Sequence, residues 1–104
     1  MTGLWRVAVV GASMAPTLDA GDWLVVRTVD AAGVREGDVV VVHQPDRPGF
    51  LLVKRAVRRT PQGWWVEGDN AGASDDSRAF GPVPDGLVRA RVLARYWPRP
   101  RRIR

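Results

Sequence analysis

Read for alternation, the chain is a series of short apolar runs broken by turn residues. R-V-A-V-V (6–10), W-L-V-V-R-T-V (23–29) and D-V-V-V-V-H (38–43) are rich in β-branched residues, with Gly, Asp and Pro at their bounds. F-L-L-V-K-R-A-V-R-R (50–59) and G-W-W-V-E (63–67) follow, joined through the turn sequence T-P-Q-G. L-V-R-A-R-V-L-A-R-Y-W (87–97) alternates polar and apolar residues through much of its length. Gly21-Asp22 and Gly37-Asp38 each stand directly before a strand-like run and read as tight turns. No window sustains a 3.6-residue period over a helix length, so little helix is expected. The pattern predicts an all-β fold of coiled antiparallel strands or a small barrel. One long stretch, residues 68–86, lacks strand character, and a structureless loop of that size in a small domain usually serves a function.

A length of 104 residues supports one domain with a modest core, assigned here to residues 1–98, with 99–104 as a basic tail. The absence of cysteine excludes disulfides, thiolate catalysis and Cys-based zinc sites, and one histidine, His43, argues against a multi-His centre. No metal and no cofactor is therefore expected. No apolar run reaches the roughly 18 residues of a membrane span, and L-W-R-V-A-V-V carries Arg6 and lacks a signal-peptide layout. The expectation is a cytoplasmic protein without a transmembrane segment.

The formal charge of +5 owes four arginines to the last six residues, R-P-R-R-I-R, leaving the rest nearly neutral. Such a tail reads first as a solvated or frayed end. Nucleic acid is not the expected partner, and contact with an acidic lipid surface is the lesser alternative.

The chain has fifteen arginines and a single lysine, Lys54, set in L-L-V-K-R-A-V among apolar neighbours. Arg keeps its proton at any useful pH, whereas burial makes a Lys amine easier to deprotonate. A neutral amine beside a hydroxyl can serve as general base for a serine nucleophile. The candidate serine is Ser13, in G-A-S-M-A-P-T-L directly after an apolar run. The plainer readings are a turn for that segment and an edge or snorkelling lysine on a strand. His43 is the rival base, but it ends the V-V-V-V run and is expected at a solvated strand end.

These residues also resemble a known family. G-A-S-M-A-P-T-L with G-D-W-L-V-V is similar to the nucleophile box of signal peptidase I and its S26-type relatives. G-D-V-V-V-V-H and L-V-K-R-A-V resemble the strand and lysine boxes, and G-D-N-A-G-A-S-D-D-S-R-A-F-G-P-V the late box. The four motifs run in the family's order over roughly residues 7–97. The resemblance implies an all-β fold as in signal peptidase and LexA: coiled antiparallel sheets, a small SH3-like barrel and little helix.

It implies a Ser-Lys serine endopeptidase with Ser13 as nucleophile and Lys54 as base. Ser74 would orient the lysine amine, and an Asp76–Arg78 ion pair would hold the late loop beside the dyad. Asp69 and Asn70 would shape the turn that enters it. Gly11, Met14 and Pro16 belong to the nucleophile loop, and the Ser13 N–H is the expected oxyanion donor. Gly11 departs from many bacterial signal peptidases, which carry a second oxyanion-stabilising Ser there.

The implied partner is a precursor protein or peptide bound as an extended strand, with small residues before the cut. The absence of an anchor resembles the nickel superoxide dismutase maturation proteases, a likeness shared by G-W-W-V-E-G-D-N-A and R-Y-W-P. Self-cleaving repressors share the dyad, but a DNA-binding domain has no room before Ser13. From a different class comes a non-catalytic β-barrel binding module, using Trp5, Trp23, Trp64, Trp65 and the basic tail on nucleic acid or a membrane surface. Most of the tryptophans are expected in the core or in loop packing.

Overall fold

The structure, a computed structural model, describes residues 3–103. Seven strands, β1 (Leu4–Ala8), β2 (Trp23–Thr28), β3 (Val39–Gln44), β4 (Arg47–Thr60), β5 (Gly63–Glu67), β6 (Val88–Trp97) and β7 (Arg101–Arg102), form one antiparallel sheet. Its order is β1-β2-β6-β3-β4-β5, with β7 beside β6. Register shifts in β2, β3, β4 and β6 mark where it bends. The one α-helix among the described residues is the single turn α1 (Ser77–Phe80). The expected all-β class with little helix is what the chain adopts.

The four valines of β3 explain how so small a chain builds two cores. All four are 0–1% exposed, because alternate side chains leave a strand on opposite faces. Val39 and Val41 join Leu24, Val26 and Val92 on one side, while Val40 and Val42 join Ala56, Val66 and Val83 on the other. Each such side chain contributes about 2 kcal/mol by leaving water. The two Gly-Asp pairs work as turns by one device: Asp22 Oδ2 accepts the Asp19 N–H, and Asp38 Oδ2 accepts the Arg35 N–H.

Three local expectations are corrected. The first strand runs over 4–8 rather than 6–10, because the Val9 N–H turns to the Asp22 carbonyl and Val10 leaves the sheet, 90% exposed. The stretch 68–86 is not structureless. Asp76 caps α1 by accepting the Arg78 N–H, and Trp64 and Val83 exchange backbone hydrogen bonds of 2.9 and 2.7 Å that tie its far end to β5. The tail is not frayed up to residue 103: β7 pairs with β6, Arg95 Nε donates to the Arg99 carbonyl, and Ile103 is 7% exposed within the first core. Arg104 lies outside the described residues. Among the tryptophans, Trp64 is core, donating from Nε1 to the Ala31 carbonyl at 3.0 Å, but Trp23 and Trp97 are exposed.

Candidate active site

The Ser13 loop is fixed from below. Met14 and Leu18, 1% and 0% exposed, plug into the first core, and the Leu18 N–H donates to the Met14 carbonyl at 2.9 Å. Ser13 precedes that anchored methionine and is half-buried. Gly11 holds a left-handed φ of 81°, a conformation that favours glycine, and Pro16 follows Ala15 through a cis peptide. The Ser13 N–H has no acceptor among the described residues.

Lys54 lies on β4 opposite Val40 and is 3% exposed. Ser13 and Lys54 line one cavity of about 110 Å³, together with Ala8, Val9, Val10 and Leu51. Burial pushes the Lys54 amine below its ordinary value of 10.5; Asp76 and Asp75 pull the other way, and Arg78 adds to the lowering. Its Nζ donates to Ser74 Oγ at 3.0 Å.

Ser74 Oγ in turn donates to Asp76 Oδ2. Asp76, 1% exposed, also accepts the Gly68 N–H at 2.9 Å and the Arg78 N–H at 3.1 Å, with the Arg78 guanidinium at 3.0 and 2.6 Å. Burial alone would raise this carboxyl, but the Arg78 and Ser74 hydrogen bonds and the two backbone donors overcome it and hold the group well below the usual carboxylate range. Ser74, Asp76 and Arg78 thus stand in one hydrogen-bonded chain that begins at the lysine.

Asp69 and Asn70 attach that chain to the Ser13 loop. The Asn70 N–H donates to the Ser13 carbonyl at 2.9 Å, and its Nδ2 donates to the Ala12 carbonyl at 3.0 Å. Asp69 accepts from the Thr17 hydroxyl and from Arg55 Nε and Nη2, at 3.2 and 2.7 Å. Its desolvation is outweighed by those bonds, so its pKa is lowered. His43 stands apart: its ring nitrogens meet the Pro48 carbonyl and, at 3.2 Å, Arg89 Nη1, and it does not line the cavity.

Sequence reasoning missed Thr17, Arg55 and Gly68. Arg55 was hidden among fifteen arginines, although its place beside Lys54 was a usable signal. Gly68 looked like turn chemistry, yet a Cβ there would lie 2.3 Å from Ser74 Oγ and 2.5 Å from the Ser13 carbonyl oxygen. Only hydrogen fits between the two loops.

The family described as signal peptidase, peptidase S26, matches residues 2–62, more than half of the chain. The chain belongs to this family. Mitochondrial inner membrane protease subunit 1 of Xenopus tropicalis is 34% identical over 85% of this chain and 66% of its own length. The subunit 1 of Schizosaccharomyces pombe is 35% identical over 86% and 71%, and the subunit 2 of Danio rerio 35% over 94% and 69%. This S26 chain spans about two thirds of the length of the curated relatives it matches. Relatives named for an inner membrane overturn the expectation of a cytoplasmic protein. No helix among the described residues is long and apolar enough to cross a membrane.

Proposed function

We propose that this chain is a serine endopeptidase with a Ser13–Lys54 dyad, and that it removes leader segments from precursor proteins. The observation that carries the reading is the chain's single lysine, 3% exposed, with its amine lowered by burial and opening on the same cavity as Ser13. A neutral amine can donate one hydrogen to Ser74 Oγ and keep its lone pair for the Ser13 proton. Ser13 Oγ attacks the scissile carbonyl while Lys54 Nζ takes that proton, and the oxyanion meets the free Ser13 N–H. Collapse expels the amine, which receives the proton from the Lys54 ammonium. Water, activated by the same amine, then cleaves the acyl-enzyme.

The substrate lies extended in the cleft between the exit of β1 and the Leu51–Val53 segment of β4, both of which line it. Small residues before the cut are what the family resemblance implies for this cleft. The setting is a membrane, as the names of the relatives suggest. The precursor of nickel superoxide dismutase remains one leader-bearing substrate to try, on the strength of the G-W-W-V-E-G-D-N-A and R-Y-W-P segments.

The test compares wild type, Ser13→Ala and Lys54→Arg on leader-bearing precursors, with cleavage read by mass spectrometry and fold by circular dichroism. Arg keeps the charge but cannot become a neutral base. Cleavage should vanish in both variants with the fold intact. Lys54→Arg cleaving as wild type does would sink the dyad.

A further inference from the structure

Behind the Ser13 loop lies a second cavity that the Ser13–Lys54 site does not use. Its rim begins with β7, which is held by pairing with β6 and by Ile103, 7% exposed in the first core. Arg101 and Arg102 therefore stand on a fixed element. Strand register sets Arg101 opposite Arg95, and Arg95 opposite Leu24 of the first core. Arg55 is opposite Val39, another residue of that core. Directly paired side chains leave a sheet on the same side, so Arg55 and Arg101 both flank the first core. There Arg55, Arg101, Arg102, Ile103 and Thr17 of the Ser13 loop line a cavity of about 260 Å³.

Three arginines line this cavity and no carboxylate does. Arg55 is matched by Asp69, which accepts from its Nε and Nη2 at 3.2 and 2.7 Å. Neither Arg101 nor Arg102 has a carboxylate partner among the described residues. Arg101 is moreover set directly against Arg95, whose own charge is taken by Asp22 at 3.1 Å. Like charges opposite one another weaken a strand pair unless an anion lies against them. Asp38 lines an adjoining cavity that shares Arg102 and Ile103, but its Oδ2 accepts the Arg35 N–H and it forms no ion pair there. The positive charges of Arg101 and Arg102 are left over.

We propose that this cavity binds a small phosphate-bearing anion. A pair of unmatched guanidinium charges suits a dianion better than a single carboxylate, and each guanidinium fork can take two phosphate oxygens. The volume lies just under the about 300–1,000 Å³ of small-molecule clefts, which admits a phosphate group on a small carrier but no nucleic acid duplex. The bound anion lies against Arg55 and Thr17, the two residues that meet at Asp69. A lipid headgroup carries the same phosphate chemistry, so the test separates a free anion from a vesicle. Nothing in the inference depends on the peptidase reading.

Wild-type protein is titrated calorimetrically with inorganic phosphate and with pyrophosphate, against sodium chloride at matched ionic strength, and is sedimented with phosphatidylglycerol vesicles. Both soluble anions should bind at one site per chain and raise Tm, pyrophosphate more tightly. Arg101→Gln with Arg102→Gln should weaken binding about 100-fold, at about tenfold per guanidinium. Arg101→Lys with Arg102→Lys should stay within about tenfold of wild type, since the charges remain while the forks are lost, and this guards against a folding artefact. Without anion, the Gln pair should melt no lower than wild type, because it relieves the Arg101–Arg95 opposition. No saturable heat beyond that of chloride, indifference to the Gln pair, or binding to vesicles alone would overturn the proposal.

Discussion

Gly68→Ala tests how tightly the two loops define the site. The new methyl would lie 2.3 Å from Ser74 Oγ, 2.6 Å from Ser74 Cβ and 2.5 Å from the Ser13 carbonyl oxygen. Ordinary contact begins near 3.5 Å, so one side must yield by about 1 Å. If Ser74 yields, its 3.0 Å bond to Lys54 stretches beyond hydrogen-bond range; if the Ser13 carbonyl yields, the 2.9 Å bond from Asn70 is lost. A displacement of that size at a reacting group costs about 100-fold in turnover. Overpacking of this kind lowers stability by about 1–3 kcal/mol, which leaves the sheet folded in a domain of ordinary stability. The assay is kcat and KM on a fluorogenic leader peptide, with urea unfolding alongside. We expect kcat to fall about 100-fold with a smaller change in KM. Adding Ser74→Gly removes two of the three clashes but leaves the Ser13 carbonyl contact and takes away the Ser74 bonds to Lys54 and Asp76, so it should restore neither stability nor turnover in full. Gly68→Ala within threefold of wild type at unchanged stability would show that the contact does not hold the dyad.

The pH profile should report Lys54. Because burial lowers its pKa, kcat/KM should rise with pH through an inflection below 10.5, and an inflection at or above that value would refute its role as base. The same shift penalises the fold at low pH, and the penalty fades as pH rises through the lowered value toward 10.5. Asp76 has the opposite sign. Its depressed pKa contributes stability that is full above the unfolded value of 3.8 and is lost as pH falls below it. Asp76→Asn should therefore cost about 2 kcal/mol in urea unfolding at pH 7, since Arg78 is 41% exposed and its share is screened, and the gap should narrow in strong acid. Arg95→Met leaves the carboxylate of Asp22 buried without its 3.1 Å partner, both side chains being under 9% exposed, and should cost about 3–5 kcal/mol. Arg95→Met with Asp22→Asn should recover part of that loss, and a purely additive pair would show that the ion pair is not coupled.

The strands were legible because their signal is local. Four consecutive valines can all be buried only if both faces of the strand are covered, and β5 falls on 63–67 as the T-P-Q-G turn implied. Boundaries failed where a distant group decides them: β1 ends early because Asp22 captures the Val9 N–H, and the tail pairs because Ile103 finds a core that no local pattern announces. In the candidate site, Lys54 stood out by composition, whereas Arg55 did not, since an arginine is unremarkable in this chain until Asp69 is seen against it.

The site's geometry rests on a contact that the hydrophobic cores do not make. Met14 and Leu18 seat the Ser13 loop in the first core, and β4 carries Lys54 as part of the sheet. Neither sets the distance between serine and lysine. That is left to Gly68, Asp69 and Asn70, which touch Ser74, Thr17, Arg55, Ala12 and Ser13 within three consecutive positions. Each of the three residue types answers a separate demand: no side chain where the loops meet, a charge to join Thr17 to Arg55, and an amide to reach the Ala12 carbonyl. Substitutions in this tripeptide should consequently move turnover more than stability, and substitutions of Met14 or Leu18 should do the reverse.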